Sequence, residues 1–266
     1  MIDCHAHVFH PSRFALTRPV PASLDLGACT PERYLGVLDE HGVSNAVLVQ
    51  PTTGYDHDHA CLLNALNAAN GRWRGIARLH PAQARAQVAI LDHPLVCGVR
   101  LDLVNDGLGT LGHPDFPWLL GALRERAAVL QVQCEGDQLA AVLEVAGDAG
   151  VRIVVDHCGR PDPAAGLVQP GFAALLELGR RGHFVKLCGA FRFSRMAYPH
   201  PDVTPFVEAL LATFTRDRCV WGSDWPFLHH ADLVRYGQAV DLATAWVGTP
   251  HSLDAAARRL FGFTEA

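Results

Sequence analysis

Met1-Ile2-Asp3-Cys4-His5-Ala6-His7-Val8-Phe9 opens the chain. Its apolar content reads as a buried strand that starts at the first residue and runs from Ile2 to Val8. Side chains on a strand alternate between faces, so residues two apart point the same way. His5 and His7 are therefore expected to project together from one strand end. A purely structural sheet gains nothing from this pairing, whereas imidazole is the commonest side chain for holding a metal or moving a proton near neutral pH.

Working outward, seven more β-rich runs follow: Ala46 to Gln50, Gly75 to Leu79, Gly98 to Leu103, Val129 to Cys134, Arg152 to His157, Phe184 to Leu187 and Arg218 to Gly222. Helical stretches separate them. Thr30-Pro31-Glu32 opens one that ends near Gly42, and another ends at Asn70-Gly71. Two more run from about Asp137 to Ala149 and from Gly171 to Arg181, each before a glycine. Alternating strands and helices with mostly apolar strands imply a parallel sheet covered by helices, and eight strands favour closure. The expected fold is α/β, a (β/α)8 TIM barrel. A length of 266 residues suits one such barrel, and no repeat or low-complexity linker divides residues 1–266.

Composition narrows the function. A net charge of -5 offers no basic stripe for nucleic acid. The sequence opens directly on a strand, which leaves no room for a secretory signal, and no apolar stretch is long enough to cross a bilayer. The expectation is a soluble cytoplasmic protein with no nucleic-acid or membrane partner; its oligomeric state is left open. Cys4, Cys97, Cys134, Cys158, Cys188 and Cys219 lie in or at the ends of apolar runs with no C-x-x-C spacing. They read as small buried hydrophobes.

Barrel topology then acts as a filter, because the chemistry of such barrels sits at the C-terminal ends of the strands. His5 and His7 qualify. So do Gln50 on the second run, Arg100 and Asp102 on the fourth, Gln133 and Glu135 on the fifth, and Asp156, His157 and Arg160 on the sixth. Lys186 lies within the seventh, with Arg192 just beyond. The eighth leads into Val220-Trp221-Gly222-Ser223-Asp224-Trp225-Pro226. Asp224, facing His5, His7 and His157 across the mouth, would complete a compact cluster of three histidines and one carboxylate.

These segments carry a resemblance. Ile2-Asp3-Cys4-His5-Ala6-His7, Val154-Val155-Asp156-His157-Cys158-Gly159-Arg160-Pro161-Asp162 and Trp221-Gly222-Ser223-Asp224-Trp225-Pro226 resemble the amidohydrolase superfamily. More narrowly they are similar to its lactonase branch, that of pyrone-dicarboxylate and sugar-lactone hydrolases. Val185 to Ser194 resembles the branch's penultimate strand and loop, and Ala257 to Gly262 its closing helix. The motifs fall in order along the whole chain. Two-metal members of the superfamily carry a bridging lysine on the fourth strand and a histidine on the fifth, where this chain offers Arg100 and Gln133. The resemblance thus implies either one divalent metal, Zn²⁺ by preference, on His5, His7, His157 and Asp224, or none.

Either version supports opening of a lactone ring. Asp224 is the expected base for an attacking water, with His5, His7 and His157 donating to the carbonyl or orienting the base. Guanidinium forks suit carboxylates. Arg160 and Arg192 match positions that hold substrate carboxylates in the branch, so Arg100, Arg160 and Arg192, with Gln50 and Gln133, are expected to bind an acidic lactone of the aromatic-catabolism type. A sugar lactone is the alternative substrate, and a metal-dependent decarboxylase of the same superfamily the alternative enzyme.

Plainer roles fit the remaining candidates. His80, His93, His113, His183 and His200 suit turns or solvent, and Asp56-His57-Asp58-His59 suits the cap and first turn of a helix. His229-His230 reads as a loop that could line the mouth. Lys186 could extend from the rim or brace it by an ion pair, and Arg160 and Arg192 could clamp Asp162 or other acids.

Overall fold

Eight parallel strands, β1 (Ile2–Ala6), β2 (Asn45–Val49), β3 (Trp73–Arg78), β4 (Val96–Asp102), β5 (Val129–Gln133), β6 (Ile153–Val155), β7 (Phe184–Leu187) and β8 (Cys219–Trp221), pair in sequence order in the computed structural model. It describes residues 1–264. The seam closes just beyond β8, where Asp224 N donates to His5 O and His7 N to Trp225 O, each at 2.8 Å. The expected barrel is present. Helices over residues 31–40, 60–68, 116–125, 138–146, 170–180 and 204–218 cover it. No described helix is long and apolar enough to cross a membrane.

Local chemistry sets the helix ends. Thr30 Oγ1 accepts from Arg33 N at 3.3 Å and Pro31 takes the first helical position, where its missing N–H costs nothing. This helix stops at Glu40, before the reversal at Gly42 (φ 66°). The stretch expected over 137–149 is helical only from Gln138 to Ala146.

Two apolar layers and one polar layer follow from strand alternation. Ile2, Cys4, Val47, Val49, Ile76, Val129, Val154, Phe184 and Val220 pack inside the barrel with Ala256, Ala257, Leu260 and Phe261 of the helix Asp254–Phe261. That helix sits at the N-terminal end, where Asp254 Oδ1 accepts from Ile2 N at 2.9 Å. A larger cluster fills the space between strands and outer helices. One step further along the inward faces, Val129, Val154 and Phe184 give way to Gln131, Asp156 and Lys186. All three are fully buried.

Strand β1 departs from simple alternation. Asp3 pairs with Ala46 and Ala6 with Leu48, so three steps on β1 match two on β2. The extra residue is a bulge. Ile2 and Cys4 belong to the inner core while Asp3 points outward to the hydroxyls of Tyr34 (2.8 Å) and Tyr236 (2.9 Å). After the bulge, His5 and His7 face the interior, with Ala6 in the outer cluster. All eight cysteines are free, and all but Cys97 are buried.

Candidate active site

The buried polar layer is the foundation of the site. Lys186 Nζ donates to Gln131 Oε1 at 2.7 Å and lies 3.2 Å from Nδ1 of His5 and 3.3 Å from Oδ1 of Asp156. Gln131 Nε2 donates to the other Asp156 oxygen at 2.9 Å. Burial works against the Asp156 charge, but Lys186, His157 and Arg100 outweigh it and hold the carboxyl below its usual range. An ammonium has three donors and no acceptor, and three acceptors surround this one.

Above this layer, three atoms converge. Nε2 of His5 lies 3.8 Å from Oδ1 of Asp224, and Nε2 of His7 lies 3.9 Å from the same oxygen. Neither His5 Nε2 nor Asp224 Oδ1 has a hydrogen-bond partner within the protein. Gly222 makes the approach possible, since a Cβ there would stand 2.8 Å from that of His5. Burial, followed by the nearby Lys186, keeps His5 well below the ordinary imidazole pKa. Burial and then Arg100 bring His7 down to about 4. Both rings are neutral near pH 7, so each carries one N–H and one lone pair.

Their surroundings distinguish the two rings. His7 Nδ1 lies 2.7 Å from the carbonyl oxygen of Val49, which can only accept, so the ring proton is on Nδ1 and Nε2 offers its lone pair. His5 Nδ1 stands between the Lys186 ammonium at 3.2 Å, which can only donate, and Asp156 Oδ1 at 3.3 Å, which can only accept. Asp224 commits its second oxygen to Nε of Arg192.

His157 enters from a turn. The sixth strand ends at Val155, earlier than expected, and His157, Cys158 and Arg160 take left-handed φ of 51°, 54° and 47°. Such residues are costly outside glycine, and here the turn carries the ring over the barrel mouth. Its Nδ1 lies 3.2 Å from Sγ of Cys188, and Gly189 leaves the room, since a Cβ there would come within 2.6 Å of that nitrogen. Burial pushes the Cys188 thiol well above its usual pKa. A thiol donating to Nδ1 leaves the His157 proton on Nε2.

A cavity of about 320 Å³ opens over these groups, lined by His7, His157, Arg100, Gln133, Arg192 and His229 among others. Arg100 is buried, and its Nε and Nη1 have no hydrogen-bond partner. Its nearest acids, Asp102 and Asp156, stand at 3.7 and 3.8 Å. Gln133 Oε1 is also unpartnered. Two other expected substrate residues lie elsewhere. Gln50 spends its amide on the carbonyls of Asp56 (3.0 Å) and Asp58 (2.8 Å), and Arg160 pairs with Glu135 at 3.4 Å; neither lines the cavity.

Arg18, Thr52, Thr53 and Asn105 line the cavity and were not singled out from sequence. Arg18 arrives on a long loop pinned by Thr17 N to Gly54 O (2.7 Å) and by its own guanidinium to Asp56 (2.5 Å). No sequence signal placed that loop. Asp56 also departs from the expected capping role, since it pairs with buried Arg78; Asp58 does accept from Ala60 N at the helix start (3.0 Å). Asp162 pairs with Arg195 rather than with Arg160 or Arg192.

The same atoms bear on metal binding. His5, His7 and Asp224 offer three ligand atoms within 4.8 Å of one another, and His5, His157 and Cys188 form a second such group. The spacing suits one cation. A ligand nitrogen must present its lone pair, so a cation here requires His5 to carry its proton on Nδ1.

A buried set of imidazoles and a carboxylate at the C-terminal mouth of a (β/α)8 barrel defines an enzyme. The chain belongs to the amidohydrolase family, whose model matches residues 2–262. A 4-sulfomuconolactone hydrolase from Rhizobium radiobacter is 31% identical over 246 residues, 90% of this chain and 80% of that protein. A Pseudomonas putida structure assigned as a 2-pyrone-4,6-dicarboxylic acid hydrolase is 32% identical with a TM-score of 0.86, covering 100% of this chain and 98% of that one. An Acinetobacter baumannii structure with the same assignment and citric acid bound is 26% identical, TM-score 0.86, covering 98% and 99%. Likeness to a zinc-bound Burkholderia multivorans amidohydrolase (21%, TM-score 0.78) and to a manganese-bound decarboxylase from Polaromonas (13%, TM-score 0.69) shows the fold alone.

Proposed function

We propose that this protein hydrolyses a small carboxylated lactone by direct attack of water, and that it does so without a metal. The observation that carries the reading is the convergence of His5 Nε2, His7 Nε2 and Asp224 Oδ1. A water among them accepts from the His5 N–H and donates to His7 Nε2 and to Asp224 Oδ1. One lone pair remains for the carbonyl carbon.

Attack forms the new C–O bond as Asp224 takes the water proton. Negative charge develops on the carbonyl oxygen, where the Nε2–H of His157 is a donor at the cavity wall. Collapse breaks the ring C–O bond, and protonated Asp224 returns its proton to the departing oxygen. The products are an alcohol or enol and a carboxylic acid, which releases the second water proton to solvent and leaves as a carboxylate. Arg192 holds Asp224 aimed through its second oxygen.

Arg100 is the principal anion-binding group, being buried, with two nitrogens free of hydrogen bonds, and facing the cavity. Arg192 and Arg18 add positive charge around the mouth. The cavity volume admits a lactone of muconolactone size, and the named substrates of the relatives, a sulfomuconolactone and a pyrone dicarboxylate, are both anionic cyclic esters. If a divalent ion were held, its ligands would be His5, His7 and Asp224, and it would supply polarisation of the carbonyl.

The test is a panel of muconolactone, 4-sulfomuconolactone, 2-pyrone-4,6-dicarboxylate, a sugar lactone, uncharged γ-butyrolactone and dihydroxybenzoates, with ring-opened acid and CO₂ both measured. Ring opening confined to the anionic lactones is expected. Release of CO₂ without ring opening would overturn the reading in favour of a decarboxylase.

A further inference from the structure

Lys186 has no place in the steps above, yet it is fully buried and within reach of the one histidine whose proton position decides what the site does. We infer that Lys186 is a positioning residue that fixes His5 in the Nε2–H tautomer and thereby sets the site for water instead of a metal ion. The inference deepens the proposed function and rests on its placement of the water.

Two arrangements compete for His5 Nδ1. Asp156 Oδ1 lies 3.3 Å away and would accept a proton from Nδ1, leaving Nε2 as a free lone pair. Lys186 Nζ lies 3.2 Å away and donates, forcing the proton to Nε2. The first arrangement is the carboxylate–histidine pair that prepares an imidazole for a metal. Geometry decides between them. Asp156 Oδ1 has no hydrogen bond from His5 or any other donor of good alignment, whereas Lys186 Nζ is aligned for a hydrogen bond to His5 Nδ1. Asp156 is already engaged by Lys186 and Gln131. The consequence reaches the surface of the site: His5 Nε2 becomes a donor among the three converging atoms, and the water it holds has its reactive lone pair turned to the substrate.

Removing Lys186 alone strands the buried Asp156 charge, so that variant can fail to fold. The pair Lys186→Met with Asp156→Asn removes both charges, and the amide oxygen introduced at position 156 can then accept from His5 Nδ1. Two readouts follow, neither of which needs a substrate, so their outcome is separate from that of the lactone panel. In the full-length wild-type protein labelled with ¹⁵N-histidine, two-bond ¹H–¹⁵N correlations, assigned with His5→Gln, are expected to give the Nε2–H pattern for His5 and the Nδ1–H pattern for His7. The Nδ1–H pattern at His5 would overturn the inference. In competition titrations with Zn²⁺ alone, the double variant is expected to bind about 10- to 100-fold more tightly than wild type, the range by which partners of ligand histidines shift metal affinity. Equal or weaker zinc binding by the folded double variant would overturn it as well.

Discussion

Asp224 divides its two oxygens between two tasks: Oδ2 accepts from Nε of Arg192, and Oδ1 stands unpartnered 3.8 Å from His5 Nε2. A carboxylate so placed is fixed by one oxygen and reactive through the other. Replacement Asp224→Asn keeps the shape and removes the base, and kcat is expected to fall about 10²-fold or more, the scale for a lost acid–base group. Steady-state kinetics on the best lactone of the panel check this. Near wild-type turnover would remove Asp224 from the chemistry.

Arg100 offers the counterpart for substrate charge. Its Nε and Nη1 are buried with no hydrogen-bond partner, so an anionic group arriving there makes hydrogen bonds the free protein lacks. For Arg100→Met, kcat/KM on carboxylated lactones is expected to drop roughly 10- to 100-fold, matching a charge-assisted hydrogen bond of ~1.5–3 kcal/mol. The methyl ester of the same lactone should lose much less. Equal losses on acid and ester would mean that Arg100 acts on the fold and not on the substrate charge.

Cys188, 3.2 Å from the His157 ring, has the look of a nucleophile beside its base. Its environment argues otherwise, because burial raises its pKa and keeps it a thiol, while reactive cysteines are thiolates. Cys188→Ala is expected to retain turnover within about tenfold of wild type, the lost S–H donor acting only through the orientation of His157. Mass spectrometry of the wild-type enzyme during turnover should find no acyl adduct. An adduct on Cys188, or abolished activity in a folded variant, would replace direct water attack with covalent catalysis.

Stability should decline on the acid side. Burial brings His7 and His59 each down to about 4 from an ordinary 6.5, so both stay neutral in the folded chain while their unfolded counterparts take up protons. Their folded pKa is the lower one, so stability is complete above about pH 6.5 and is lost as pH falls toward 4. Each contributes a slope of up to about 1.4 kcal/mol per pH unit in that window. Urea midpoints between pH 7.5 and 4.5 measure it. A flat profile across that range would show that these rings are protonated in place.

The barrel was legible because apolar strand runs are local signals, repeated eight times along the chain, with helix starts or stops readable between several of them. The cluster of His5, His7, His157 and Asp224 was legible because strand ends are where barrels keep their chemistry. What escaped depends on partners distant in sequence. The extra residue in β1 shows only in its pairing with β2, and the left-handed turn that aims His157 shows only beside Gly189 and Cys188. Gln50 and Arg160 matched strand ends as well as Arg100 does, yet local carbonyls and Glu135 occupy them. Lys186 reads from sequence as a rim residue or an ion-pair brace, and only the fold sets it against His5 as well as Asp156.

The central claim is that neutral histidines and Asp224, with no metal, activate the water that opens the ring. Its most direct test is turnover of the preferred carboxylated lactone by protein stripped with a chelator, with residual metal quantified by elemental analysis on the same sample. The account predicts undiminished kcat in metal-free protein and no gain on adding Zn²⁺. Activity that disappears with the metal and returns in proportion to added Zn²⁺ would contradict it.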